Sequence, residues 1–228
     1  MGSRSSKLKG TSPGDGPSGS DESPGQQIKV DSGKTGQSVT GPSPELYTAI
    51  DGSLTAAFRE NAEKVNAMVT LADTEEELIK SVAAWISGNG WKELVCEETR
   101  LRKMFLENGF PFPLSEKVTD SSEVAITGCE SIIAQLGSVI VSSAQSGSRK
   151  IFIFPPVHIV VANSSQLSET LEDGYLKTIL KYGDHLPSFI SVITGPSRTA
   201  DIEKTLVLGA HGPVQLHIFI LNDSFSSK

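Results

Sequence analysis

Phe189-Ile-Ser-Val-Ile193-Thr-Gly-Pro-Ser-Arg-Thr-Ala-Asp-Ile-Glu-Lys-Thr-Leu-Val-Leu-Gly-Ala-His-Gly-Pro213 reads as an apolar run, a sharp turn, a helix start and a second turn. The run Phe189–Ile193 is rich in β-branched residues and short, which suits a strand. Gly195-Pro196 ends it, because glycine permits a tight turn and proline fixes the backbone after it. A helix is expected to open near Thr199 to Asp201. Gly212-Pro213 turns the chain again, and Leu216-His-Ile-Phe-Ile-Leu221 returns as a final strand.

The same alternation runs outward toward the N-terminus. Ser53 precedes Leu54, Ala57, Phe58, Val65 and Met68, a helical spacing that predicts a leading helix of about four turns. Thr74 with Glu77 forms a capping box for a helix carrying Leu78, Val82, Trp85 and Ile86, which stops at Gly88-Asn89-Gly90. Leu94–Cys96 reads as a short buried strand, and Leu101, Met104 and Phe105 as a helix ending at Asn108-Gly109. Val124–Thr127 and Val139–Val141 are predicted strands, with a short helix over Cys129–Ala134 between them. Ile151–Phe154 and Ile159–Val161 are predicted core strands flanking Pro155-Pro156-Val157-His158. An amphipathic helix is expected over about Ser164–Lys181, with Leu167, Leu171, Leu176, Ile179 and Leu180 facing inward. Strand and helix in alternation point to an α/β domain around a largely parallel sheet.

About the first 44 residues are dominated by Gly, Ser and Pro and cannot bury enough apolar surface to offset their ordering entropy. Residues 1–44 are therefore expected to be a disordered tail and 45–228 a single domain. Three motif matches in the tail carry nothing. Gly14-Asp-Gly-Pro-Ser-Gly19 fits the dinucleotide fingerprint without a strand before it or a helix after it; Gly33-Lys34-Thr35 lacks the first P-loop glycine, since that place is Ile28; and Met1-Gly2 with Ser6 meets only a loose myristoylation pattern. The formal net charge of −7 argues against a nucleic-acid surface. No apolar run reaches the roughly 18 residues of a membrane span, and the expected protein is soluble and cytoplasmic. Two cysteines, Cys96 and Cys129, fall short of the roughly four thiolates an iron–sulfur cluster needs. Four histidines without close spacing supply no metal site.

The block Ile193 to Glu203 followed by Leu208-Gly-Ala-His-Gly-Pro213 resembles the C-terminal signature of the LUD domain family. Ile126-Thr-Gly128, Ala134–Ser138 and the Pro155–Val161 segment are similar to further blocks of that family, so the resemblance spans roughly Leu46 to Leu221. It implies a three-layer α/β/α fold like the NagB/RpiA/CoA-transferase group, to which the helical spacing from Leu54 adds an N-terminal helix. It also implies an accessory, non-redox part in oxidising L-lactate to pyruvate, beside iron–sulfur partner proteins that carry the clusters this chain cannot. One position departs from the family: Ala134-Gln135-Leu136-Gly137 stands where Ala-Glu-Thr-Gly is usual, so a carboxylate and a hydroxyl are lost.

Physically, the turn at Gly195 followed by a helix start makes an anion cradle, because the first amides of a helix carry partial positive charge. Arg198 supplies a fork for a carboxylate or phosphate, or pairs with Asp201 or Glu203; Ser197 and Thr199 donate hydroxyls, or cap the helix. Asp201 orients Arg198 or caps. His211 is the candidate acid or base, or a turn residue bonded to a carbonyl, and Gln135 and Gly137 complete the candidate ligand contacts. Ser197, His211 and Asp201 do not form a hydrolase triad, since the second glycine of a nucleophile elbow is missing. A free-standing enzyme of CoA-transferase or sugar-phosphate isomerase type is the alternative.

Overall fold

The structure, a computed structural model, describes residues 50–146, 148–200, 206–208 and 212–223. In chain order the elements are α1 (Leu54–Lys64), β1 (Met68–Ala72), α2 (Glu75–Asn89), β2 (Leu94–Val95), α3 (Thr99–Glu107), β3 (Leu114–Ser115), β4 (Val124–Thr127), β5 (Ser131–Ile133) and β6 (Ser138–Ser142). They continue with α4 (Ser143–Ser146), β7 (Val157–Asn163), β8 (Leu167–Ser168), α5 (Leu171–Tyr182), β9 (Ile190–Ile193), β10 (Arg198–Ala200), β11 (Leu206–Leu208) and β12 (Gln215–Leu221).

Six strands form a sheet in the order β1-β12-β7-β4-β2-β3, every pairing parallel. Its central strands read as continuous apolar runs because both faces are covered. Successive side chains alternate between two cores. Val124, Ile126, Ile159, Val161 and Phe219 pack with Leu78, Val82 and Ile86 of α2 and Phe105 of α3. Ala125, Val160, Ala162, Ile218 and Ile220 pack on the other side with Phe58 and Ala62 of α1 and with Ile132, Val139 and Val141 of a second sheet. That second sheet has the order β8-β5-β6-β9 and is mainly antiparallel.

The capping box at Thr74 is present, with its hydroxyl accepting from Glu77 N at 3.1 Å, and α2 ends at Gly90 in the left-handed region. Several expectations are corrected. α1 stops at Lys64, because Asn66 takes φ +65° and Met68 enters β1. The segment Cys129–Ala134 is not helical; Ser131–Ile133 is β5, paired with β6 on one side and β8 on the other. Six residues are too few for a helix to hold without a packed face, and pairing decides for Ile132-Ile133. Ile151–Phe154 is not a strand either: Arg149–Phe152 forms a 3-10 turn capped by Ser148.

The long helix predicted over Ser164–Lys181 divides into a 3-10 turn (Ser164–Gln166), β8 and α5. The inward face of α5 is Gly174 and Thr178, while Leu176 is 49% and Leu180 80% exposed. The reason is close approach. A Cβ on Gly174 would fall 2.3 Å from Ile133 Cδ1, so the helix backbone lies on the small sheet and leaves no room for a leucine stripe. Finally, the helix expected at Thr199 is strand there: Arg198–Ala200 pairs antiparallel with Leu206–Leu208.

Candidate functional site

In an open parallel sheet the strand ends deliver loops to one edge, and ligands sit at the carboxyl ends. Here the residues following β2 and β4, the end of β7 and Leu221 of β12 surround a cleft of about 350 Å³. Its charged lining is Glu75, Glu98, Arg100, Lys103, Glu107 and Lys181, with Gly128 and Gln145 beside Glu98.

Glu98 occupies the N-cap position of α3 but makes no side-chain cap bond to that helix. Its carboxylate instead accepts from Gly128 N at 2.6 Å, across the ends of β2 and β4. Burial pushes the Glu98 carboxyl up to about 7; the Gly128 bond opposes this, nearby Glu130 adds to it, and the charges of Lys181 and Arg100 oppose it. A carboxyl that titrates near neutrality can both give and take a proton at physiological pH. Gln145 reaches the same place and accepts from Ser142 N at 3.4 Å. At the end of β7, Gln166 accepts from Asn163 N at 2.7 Å and donates to Cys129 O, which fixes the cleft floor.

Behind the cleft lies Glu130, in the connection between β4 and β5. Its side chain is fully buried, and Lys181 Nζ, Tyr182 OH and Ser142 Oγ all donate to it. Burial works against the Lys181 charge, but the bond to Glu130 outweighs it, so the ammonium is held above the usual lysine value.

The two thiols lie beside this cleft, with Cys129 in its lining, and the two buried histidines lie in the sheet. Burial pushes Cys96 up to about 12 and Cys129 higher still, so neither is a thiolate near neutral pH. His158 and His217 are buried in β7 and β12, each with Nε2 at 2.8 Å from a threonine hydroxyl, Thr127 and Thr70. Burial lowers both to about 4 and keeps them neutral.

The residues expected from the sequence fall elsewhere. Ser197 N donates to Pro213 O at 2.8 Å and Val214 N to Pro156 O at 2.8 Å, so this turn borders the amino ends of β12 and β7, opposite the cleft. Gly195 follows β9, which belongs to the small sheet rather than the parallel one. A Cβ on Gly195 would meet Val65 O at 2.2 Å, and one on Gly137 would meet Ala62 N at 2.1 Å. The two glycines thus flank the end of α1, and a 2.8 Å bond between Ser138 and Thr194 hydroxyls joins their turns. The backbone N–H of Gln135 donates to Glu169 O at 3.1 Å, and its side-chain oxygen is buried without a partner among the described residues. Arg198 and Thr199 are described in their backbone, as the first two residues of β10. Asp201 and His211 lie outside the described residues.

Sequence reasoning did not single out Glu98, Glu130, Gln145 or Lys181. The usable signal was position: Gly128 directly follows one predicted buried strand, and Glu98 comes two residues after another.

Residues 113–221 match the family described as LUD domain. Gly128, Glu130, Gln145 and Lys181 lie inside that match, and Glu98 and Arg100 before it. Lactate utilization protein C of Bacillus licheniformis is 31% identical over 106 residues, covering 46% of this chain and 44% of the relative. The protein of the same name from Bacillus subtilis is 32% identical over 109 residues, covering 47% and 45%. The match therefore spans less than half the length of these relatives. A crystal structure of a DUF162 family protein from Deinococcus radiodurans aligns with a TM-score of 0.57 at 18% identity, over 74% of this chain and 96% of that one, which shows a shared fold. Among the described residues no helix is long and apolar enough to cross a membrane, and no group of His, Cys, Asp and Glu could hold a metal ion.

Proposed function

We propose, from the match of residues 113–221 to the LUD domain family, that the protein serves in lactate utilisation by binding a small anionic ligand in the cleft at the carboxyl ends of its parallel sheet. The observation that carries the reading is Glu98, a carboxyl raised to about 7 in a cleft that also presents the exposed guanidinium of Arg100. A carboxylate ligand pairs with the cation, while Glu98 meets a hydroxyl or keto oxygen as acceptor or donor. The name of the relatives, lactate utilization protein C, supports a 2-hydroxy acid as the ligand, and its 2-oxo product is the second candidate by chemistry.

The two thiols are buried and hard to ionise, which supports placing the redox centres of a lactate oxidation on iron–sulfur partner proteins. In this reading the chain is the accessory, non-redox component. The anion-binding loop expected at Gly195–Asp201 gives way as the preferred site to the Glu98 cleft.

Calorimetry with L-lactate and pyruvate on the full chain tests the reading. Arg100→Ala should weaken binding by about 1.5–3 kcal/mol, the range for a charge-assisted bond. No heat from either ligand at millimolar concentration, or equal affinity in the variant, would sink it.

A second reading is favoured by the near-neutral Glu98 itself: a free-standing acid–base enzyme of CoA-transferase or sugar-phosphate isomerase type. Turnover of an acyl-CoA or a sugar phosphate by the purified chain, lost in Glu98→Gln, would select it over the accessory role.

A further inference from the structure

Glu130 does not border the cleft, yet it carries a full charge requirement with it into the interior. Its side chain is 0% exposed, and it accepts from Ser142 Oγ at 2.5 Å, Tyr182 OH at 2.7 Å and Lys181 Nζ at 2.8 Å. Packing alone does not call for a carboxylate in such a place, because an apolar side chain of similar volume fills space without the cost of desolvating an ion. The three donors differ in one respect. Ser142 is buried and Tyr182 partly so, whereas the Lys181 side chain is 56% exposed and lines the cleft together with Glu98.

The backbone under Lys181 is fixed as well. α5 lies against the small sheet through Gly174, whose position meets Ile133 and Ile140. A lysine on a flexible stem ordinarily loses much rotamer freedom when it grips a ligand; one already held by a buried carboxylate has lost it in advance. An ammonium has three N–H donors, and the bond to Glu130 uses one, so the others are available to a ligand in the cleft.

We propose that Glu130 is a positioning residue, whose buried carboxylate fixes the Lys181 ammonium at the cleft wall as the contact for the carboxylate of a small organic acid, in the same cleft as Glu98. The proposal rests on the reading of the cleft as a small-anion site and adds the residue that grips the anion. Glu98 reports on the arrangement, because the charges facing it are Glu130, Lys181 and Arg100.

The test uses Glu130→Gln in the full chain, which keeps the shape and the bonds from Tyr182 and Ser142 but removes the charge. Two readouts need no ligand: the side-chain ammonium signal of Lys181 in nitrogen NMR, and the titration midpoint of the Glu98 carboxyl in carbon NMR. The expected result is a Lys181 signal broadened by solvent exchange and a Glu98 midpoint lower by about half a unit or more, since a neighbouring negative charge is gone. In calorimetry with L-lactate as the probe, Glu130→Gln should bind about tenfold more weakly, and adding Lys181→Ala to it should cause no further loss. Unchanged NMR signals, or losses that add, would overturn the proposal. If Glu130→Gln does not fold, the exposed Lys181→Met must raise the Glu98 midpoint and weaken lactate binding, and failure of either overturns it too. NMR changes without any lactate or pyruvate binding by the unaltered protein would instead overturn the small-anion reading and leave the positioning of Lys181 standing.

Discussion

The backbone amide of Gly128 donates to Glu98 Oε1 at 2.6 Å, joining the carboxyl ends of β4 and β2 across the cleft. A Cβ at position 128 would stand 3.0 Å from Glu98 Oε2 and 3.5 Å from Gln145 Nε2. Both are ends of flexible side chains, so they can swing aside at small cost. Gly128→Ala should therefore lower stability by less than about 1 kcal/mol, below the usual range for overpacking, while L-lactate affinity falls at least about tenfold. Calorimetry and thermal melts on the same sample check this, and an unchanged affinity would show that the Glu98 carboxyl is not a ligand contact.

Glu98 also makes a prediction about pH. Its folded value, about 7, lies above the ordinary 4.5, so the fold favours the protonated carboxyl. The stability it contributes is complete below pH 4.5 and lost as pH rises through about 7. Glu98→Gln should melt near the wild-type temperature at pH 4.5 and clearly above it at pH 8, a case of a functional group held at the expense of stability. A constant difference between the two proteins across that window would contradict the raised value.

The buried histidines act in the opposite sense. His158 and His217 are lowered from 6.5 to about 4 by burial, so the stability they protect is complete above pH 6.5 and lost as pH falls through about 4. For His158, which is fully buried, the loss is on the order of 3 kcal/mol. Urea melts from pH 7 to 4 measure it, best in the Glu98→Gln background, where the opposing contribution is absent. Stability that stays level over this range would mean that the two rings are solvated.

Gly137 and Gly195 have φ of +60° and +72°, and a Cβ on either would run into the backbone of α1 or the residue just after it. Neither obstacle is a side chain that can move. Gly137→Ala and Gly195→Ala are each expected to cost about 3 kcal/mol or more, or to prevent folding. Melting temperatures within a degree or two of wild type would show that α1 does not crowd these positions.

On α5 the expectation is the reverse. Leu180 is 80% exposed, so Leu180→Lys should change stability by no more than about 0.5 kcal/mol, as measured by urea unfolding. A loss of about 2 kcal/mol would place the side chain in a core after all.

The periodicity of residues 74–90 and the apolar runs at 124–127, 159–161 and 216–221 were enough to read α2 and the cores of the central strands, because caps and buried strands are local or compositional signals. The same sequence could not place Ile132-Ile133 in a strand or turn Leu176 and Leu180 outward, since those outcomes depend on a neighbouring strand and on the close approach of Gly174 to Ile133. The stretch Ile193–Pro213 carried the family resemblance, yet its turn borders the amino ends of the sheet strands. Glu98, Gly128, Glu130 and Lys181 are scattered over more than eighty positions, and each alone looks like an ordinary surface residue or linker. Only the parallel ordering of β2 and β4, together with the seating of α5 on the small sheet, brings them to one edge, where burial raises one carboxyl and three donors hold the other.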